Sequence, residues 1–238
     1  MIFEKYQGCG NDFIIVNGNY NSSLAKKLCN RHLNIGGDGL IVINDNKIKF
    51  YNADGSKAKI CGNGLRCVGN YLFNHHLLSK QKEIICEKKK YIINKIDDDI
   101  YKIIFPLDNV NYKKYQINKY LVYLIDVGNK HCVLLNYQAN EKIAKEIIKY
   151  DNELNVSFVK IINRKLIKVK TYERGVGFTL SCGSASLASS IILNQLNLVD
   201  QEINIKVKEG ILKINLNKEY SLFGSSKFVY KGEINERI

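Results

Sequence analysis

The chain has 238 residues, with 36 Lys and Arg against 23 Asp and Glu, for a formal net charge of +13. At 45% apolar and 25% charged residues it has the make-up of an ordinary globular protein, which excludes wholesale disorder, and its length suits one large domain or two small ones. No run approaches the ~20 apolar residues of a membrane span, and the opening MIFEKYQGCG lacks a basic segment followed by an apolar one, so neither membrane nor secretion is expected.

Runs rich in Ile, Val, Phe and Tyr, bounded by Gly, Asn or Asp, predict strands. The first is Asp12 to Val16, followed by a helix over Ser22 to His32 opened by a Ser cap. Strands follow at Gly39–Ile43 and Lys47–Tyr51, and a second helix begins at Cys61. Tyr101–Phe105 and Tyr120–Asp126 are strands, and Glu141–Lys149 is a helix. Ser157–Ile162 and Leu166–Tyr172 precede a last helix from Cys182, and Ile211–Leu216 is a further strand. The fold class expected is mixed α+β, with strands outnumbering helices.

Two segments match each other: CGNGLRCVGNYLFNHHLL and CGSASLASSIILNQLNLV. Each opens Cys-Gly-small and continues with apolar residues at helical spacing. Each follows a β-type run and a Gly-containing turn, Asp54-Gly55 in one and Gly175-Val176-Gly177 in the other. They lie 121 residues apart, about half the chain, which indicates two copies of one αβ unit. Pro106 and the polar stretch to Lys119 read as the crossover. The domains expected are 1–110 and 111–225, with the segment 226–238 returning to the first. The strand Phe228 to Ile234 within that segment has no evident counterpart in the second copy.

The charge carries little. Lys supplies 31 of the 36 cations and Arg only five (Arg31, Arg66, Arg164, Arg174, Arg237), whereas nucleic-acid readers favour Arg. Lys88-Lys89-Lys90 and Lys113-Lys114 sit beside apolar alternation and read as solvated strand faces or turns. No nucleic-acid or membrane partner is expected, and homodimerisation is left open. Seven Cys without an export signal argue for thiols in the cytoplasm rather than a disulfide framework. The spacing of Cys61 and Cys67, with no CxxC, does not meet zinc requirements, so no metal is expected. Cys29, Cys67, Cys86 and Cys132 read as small buried hydrophobes; Cys9, in a Gly-rich turn, is undecided.

Cys61 and Cys182 are different. The first amides of a helix have no intrahelical partner, and the macrodipole adds about half a positive charge there. Glycine at the next position lets an anion approach the bare backbone. A Cys at this place has its thiolate stabilised and becomes a competent base. Two such helix starts could grip one carboxylate and set two thiols against opposite faces of the attached carbon. The negative charge formed on removing an α-proton would be held by preorganised dipoles, and a proton returned to the other face would invert the centre. No Schiff base, and hence no cofactor, is needed.

These residues resemble the diaminopimelate epimerase family nearly end to end. The likeness is carried by YQGCGNDFIIV, RHLNIGGDGLIVI, FYNADGSKAKICGNGLRC, DVGNKHCV, NVSFV, YERGVGFTLSCGSAS and KFVYKGEI. The resemblance implies two pseudo-symmetric domains, each of mixed strands wrapped around a central helix, and a small amino-acid substrate. It implies that Cys61 and Cys182 are the acid–base pair, with His131 and Glu173 beside the thiols helping to set their protonation. Gly62, Asn63, Gly183 and Ser184 would hold the reacting carboxylate, chiefly through backbone amides. Asn11 would help position that end, while Asn52, Asn129, Asn155 and Arg174 would contact the substrate, most of them at its far end. Glu173 could also meet a substrate ammonium. Arg174 suits a second carboxylate, which its planar fork meets in two bonds. Asn52 and Asn155 can also be read as turn residues, and His131 as a core histidine.

Three positions depart from the family's usual pattern: Lys130 in place of Pro, Phe178 in place of a Glu, and Ala185 in place of a Gly. Neither Lys130 nor Phe178 touches the paired thiols. They bear on the substrate, for which racemisation of another amino acid, such as histidine, is the alternative to epimerisation of LL-2,6-diaminopimelate to the meso form.

Overall fold

The computed structural model describes residues 1–174 and 176–235. Gly175 of the second Gly-containing turn, and Arg237 with the rest of 236–238, lie outside the described residues. The chain divides into two compact units, Met1–Phe105 with Gly224–Ile238, and Pro106–Phe223.

The first unit contains β1 (Ile2–Gly8), β2 (Asn11–Asn17), α1 (Ser22–Leu28), β3 (Gly39–Asn44), β4 (Lys47–Asn52), β5 (Lys57–Ala58), α2 (Gly62–Asn74), β6 (Gln81–Cys86), β7 (Lys89–Asp97) and β8 (Ile100–Phe105). The second contains β9 (Lys113–Ile117), β10 (Tyr120–Asp126), β11 (Lys130–Leu135), α3 (Glu141–Ile148), β12 (Asn155–Asn163), β13 (Leu166–Glu173), β14 (Gly177–Phe178), α4 (Gly183–Gln195), β15 (Glu202–Val207) and β16 (Gly210–Asn215), while β17 (Tyr220–Ser225) begins in the second unit and its last two residues fall in the first. The class is α+β, as the sequence predicts.

The two units repeat one topology. In the first, β2 and β3 run parallel, joined through α1, and β4 and β6 run parallel, joined through α2. In the second, β11 and β12 are parallel about α3, and β13 and β15 about α4. The short β5 and β14 pair antiparallel with β4 and β13. The C-terminal strand β18 (Lys227–Glu233) pairs antiparallel with β1, and β9 pairs antiparallel with β10. β18 therefore does have a positional counterpart, β9, contrary to the sequence reading. The polar crossover hid it: Lys113–Ile117 is exposed along most of its length and lacks the apolar alternation that marks a strand.

The small outer helices bury one face each. Leu24, Ala25 and Leu28 of α1 pack on Phe3, Ile14, Val16, Leu40 and Val42. Ala144 and Ile147 of α3 pack on Val122, Cys132, Leu134, Val156 and Phe158. The N-cap of α1 is Asn21, whose side chain accepts from Ser23 N at 3.1 Å, not the Ser expected. The helix also stops at Leu28 rather than His32. Asn30 Oδ1 accepts from both His32 N and Leu33 N, so its side chain starts a separate turn.

The central helices α2 and α4 are buried along nearly their whole length, as strand-wrapped helices must be. Each has 13 residues, begins after a Cys N-cap and ends on a left-handed residue, His76 and Asn197, both at φ 58°. Leu77 N returns to Leu72 O at 2.8 Å, and Leu198 N to Leu193 O at 2.9 Å, the same terminal motif. The 121-residue spacing thus holds from the first cap to the last. Gly69 lets α2 approach its strands, because a Cβ there would lie 2.8 Å from both Ile93 and Tyr101. Among the described residues no helix is long and apolar enough to cross a membrane.

Candidate active site

All seven cysteines carry thiols. Cys29, Cys67, Cys86 and Cys132 are buried, and burial pushes their thiols up to about 11, 12, 12 and 12. Such thiols stay protonated and act as packing. Cys61 and Cys182 are instead half-buried, and each is the N-cap residue of its unit's central helix. Their backbones are nearly superimposable in conformation, φ −137°, ψ 109° and φ −134°, ψ 112°. The extended conformation directs each side chain back across the open first turn. Cys61 Sγ accepts from Gly64 N at 3.3 Å, so an orphan helix amide stabilises negative charge on that sulfur. Cys182 Sγ lies 3.5 Å from Ser184 Oγ. Gly64 serves packing as well, since a Cβ there would meet the Phe50 ring at 2.6 Å.

In the first unit, β2 and β3 start, and β4 ends, at one edge of the sheet. That edge gathers Asn11 and Asn52, and the start of α2 supplies Cys61, Gly62 and Asn63. Asn63 is buried and donates through Nδ2 to Asn11 Oδ1 at 3.2 Å. Asn52 closes its own turn, donating through Nδ2 to Ser56 Oγ at 2.9 Å.

In the second unit the matching edge is formed by the starts of β11 and β12 and the end of β13. His131 and Asn155 are directly paired across the parallel strands, and Asn129 lies in the turn just before β11. Asn155 ties the edge together: its Nδ2 donates to Lys130 O at 3.3 Å, and its Oδ1 accepts from Arg174 N at 3.2 Å. The Arg174 side chain is exposed. Glu173, 121 residues after Asn52, likewise ends its strand, and its Oε1 accepts from Thr179 Oγ1 at 2.7 Å.

His131 is fully buried, and its Nε2 lies 3.1 Å from Ser184 Oγ. The Ser184 hydroxyl therefore connects Cys182 to His131. Burial lowers the imidazole to about 4, against a smaller upward pull from Asp126. His131 is thus neutral near pH 7, able to exchange hydrogen bonds but not to act as a resident cation. Its Nδ1 finds no hydrogen-bond partner among the described residues.

Of the three departures, Lys130 brings no unbalanced cation to this edge. Its Nζ is held by Glu153 at 2.7 Å and Asp151 at 3.2 Å, and the two carboxylates raise its pKa. Phe178 packs edge-on against Tyr172, ring centroids 5.2 Å apart, beside Phe158. It packs, partly buried, against the core of this unit. Ala185 is fully buried in the first turn of α4.

Three polar groups of these two edges escape the sequence reading: the Arg66 guanidinium, the Asp38 carboxylate and the Thr179 hydroxyl. Arg66 has no exposed surface and donates to Gly62 O at 3.2 Å and Asn63 Oδ1 at 2.9 Å. It also reaches Ser225 O at 3.1 Å and Cys9 Sγ at 3.7 Å. The available signal is its place inside a central helix wrapped by strands, where a solvated cation does not belong.

The chain is similar to known proteins along nearly its whole length. A sequence model described as diaminopimelate epimerase matches residues 3–100 and 123–233. The chain is 33% identical over 272 residues to the diaminopimelate epimerase of Caldanaerobacter subterraneus subsp. tengcongensis, covering 98% of this chain and 99% of that one. It is 35% identical over 288 residues to that of Clostridium acetobutylicum, covering 98% and 86%. Among solved structures, a PhzF-family phenazine biosynthesis protein of Bacillus anthracis shares the fold with a TM-score of 0.76 at 12% identity, covering 98% of each chain. A hydroxyproline epimerase from Agrobacterium vitis does so with 0.70 at 9%, covering 98% and 91%.

Proposed function

The chain belongs to the diaminopimelate epimerase family, and from that premise we propose how its residues invert the α-carbon of LL-2,6-diaminopimelate to give the meso form, a step of lysine biosynthesis. The observation that carries the mechanism is the repeated placement of a thiol at the N-cap of each unit's central helix. One sulfur, as thiolate, takes the Cα proton. The electron pair left on carbon spreads into the carboxylate, which the first-turn amides around Gly62 and Asn63, and Gly183 and Ser184, stabilise. The other sulfur, as thiol, gives its proton to the opposite face. The centre is inverted and the two sulfurs have exchanged roles, so the reverse reaction proceeds by the same steps.

The remaining site residues divide by position. His131 acts on Cys182 through the Ser184 hydroxyl, and Glu173, held by Thr179, lies at the end of β13. Asn11 serves the reacting end, and Asn52, Asn129, Asn155 and Arg174 the distal one. The exposed guanidinium of Arg174, anchored through its backbone to Asn155, fits the second carboxylate of the substrate. We place the enzyme in the cytoplasm, where paired thiols stay reduced.

The substrate assignment is tested with the reduced protein, chiral chromatography and a panel of amino acids. LL-diaminopimelate is expected to be converted to the meso form, while histidine and proline are left unchanged. Arg174→Ala should raise KM for diaminopimelate about 10- to 100-fold, the loss expected of a charge-assisted pair. Turnover of a monocarboxylic amino acid that is indifferent to Arg174→Ala would overturn the assignment.

A further inference from the structure

The first unit holds a continuous chain of hydrogen bonds whose two ends can each act in only one sense. Arg66 Nη2 donates to Asn63 Oδ1 at 2.9 Å, Asn63 Nδ2 donates to Asn11 Oδ1 at 3.2 Å, and Asn11 Nδ2 donates to Asp38 Oδ2 at 2.6 Å. A guanidinium has only donors, and a carboxylate only accepts. The atom of Asn63 that faces Arg66 must therefore be its oxygen, and the atom of Asn11 that faces Asp38 must be its nitrogen. The bond between the two asparagines then matches donor to acceptor in one orientation alone. Flipping either amide would set nitrogen against nitrogen or oxygen against oxygen.

Both ends are themselves fixed. Arg66 is fully buried on α2, with no carboxylate within ion-pair distance among the described residues, and its other bonds go to Gly62 O, Ser225 O and Cys9 Sγ. Asp38 also accepts from Asp12 N at 3.1 Å and pairs with Arg31 at 2.8 Å. Arg31 in turn grips Asp12 by both oxygens, at 2.6 and 3.1 Å, and Lys5 pairs with Asp12 at 2.7 Å. Burial works against ionisation of Asp12, yet hydrogen bonds from Arg31 and Lys5 outweigh it and bring the carboxyl down to about 2. The acceptor end of the chain is thereby braced by a network of fixed charges.

We propose that Arg66 and Asp38 are positioning residues that lock the amides of Asn63 and Asn11, so that half-buried Asn11 presents its second N–H, and not its carbonyl, to an acceptor oxygen of the substrate. The inference rests on the reading that Asn11 lies at the reacting end of the substrate. It assigns the function of the charged cluster Lys5, Asp12, Arg31 and Asp38: it sets the polarity of a hydrogen bond at the site.

Asp38→Asn is the direct test. The amide it introduces would have to turn its NH2 either toward Arg31 or toward Asn11, and the second choice forces Asn11 to flip. The variant should lose at least about tenfold in kcat/KM for LL-diaminopimelate, mostly through KM, and melt at a lower temperature. Combining Asp38→Asn with Asn11→Asp restores the donor–acceptor match between these two side chains with reversed polarity, while Asp12 N, which shares Asp38 Oδ2 with Asn11, loses its acceptor. The melting temperature should therefore rise part of the way back while kcat/KM does not recover. An Asp38→Asn variant with wild-type kinetics and stability would overturn the proposal, as would recovery of activity in the double variant. Arg66→Gln tests the other end with the same expected rise in KM, and should that variant fail to fold, the Asp38 pair decides. If the wild-type protein does not invert diaminopimelate, the proposed function fails, and the locked orientation is still judged by the melting temperatures of the single and double variants.

Discussion

Replacing either Cys61 or Cys182 by Ser is expected to reduce inversion of LL-diaminopimelate at least about a thousandfold, within the range that positioned acid–base groups contribute. A hydroxyl is far less acidic than a thiol, so serine at the same N-cap is neither a ready base nor an adequate acid near pH 7. The fold should tolerate both changes. Serine is a favoured N-cap, and Gly64 N, which now meets Cys61 Sγ, finds an oxygen acceptor instead. The two variants should not be equivalent toward exchange. The sulfur that remains can remove and return a proton on one face, so residual solvent exchange should be confined to one stereoisomer in Cys61→Ser and to the other in Cys182→Ser. Chiral analysis of product together with deuterium content of recovered substrate reads both effects. Full turnover by either variant would show that one base suffices.

The second large effect is on stability in acid. Burial holds His131 neutral down to about pH 4, whereas an unfolded-state histidine titrates near 6.5. Between those values the unfolded chain binds the extra proton, so stability rises with pH across the window and is lost as pH falls through it. The group's share is on the order of 3 kcal/mol between pH 6.5 and pH 4. Asp12, lowered to about 2, adds a loss of the same sign at still lower pH. Urea unfolding followed from pH 7 to pH 4 should therefore fall steeply for the wild-type protein. His131→Gln, which keeps a polar partner for Ser184 but does not titrate, should follow a flatter curve. Parallel curves would place the imidazole in a hydrated setting inconsistent with its burial.

Much of this fold is legible in the sequence, because its repeat is local. Cys-Gly-small followed by an apolar helical run marks the start of α2 and of α4, and the same 121-residue spacing carries through to His76 and Asn197 at their ends. The strands that read clearly, such as Gly39–Ile43 and Tyr120–Asp126, are those with buried, apolar centres. The strand β9 does not read that way because it is polar and gains its identity only by pairing with β10. The helix α1 ends early because the Asn30 side chain competes for backbone amides, a contest that propensity alone does not resolve.

The candidate site divides along the same line. Cys61 and Cys182 stand out because a thiol beside glycine at a helix start has a chemical meaning in isolation. The supporting groups do not. Asn63 and Asn11 are 52 residues apart in the chain, and His131 and Ser184 are 53 apart. Nothing in the spacing announces that these pairs touch. Arg66 is hidden for a further reason: its charge suggests solvent, while its function depends on burial against Asn63 and the carbonyls of Gly62 and Ser225. Lys130 errs in the other direction. It reads as a new cation at the site, and tertiary structure ties it to Asp151 and Glu153.

The most direct measurement is a brief incubation of the reduced protein with LL-diaminopimelate in deuterated water, with label at Cα followed separately in substrate and product. Two thiols working on opposite faces predict meso product carrying deuterium at the inverted centre from the first turnovers, while the LL substrate recovered at the same time stays unlabelled. Deuterium returning to the LL substrate as fast as it enters product, or meso product formed without label, would contradict the mechanism.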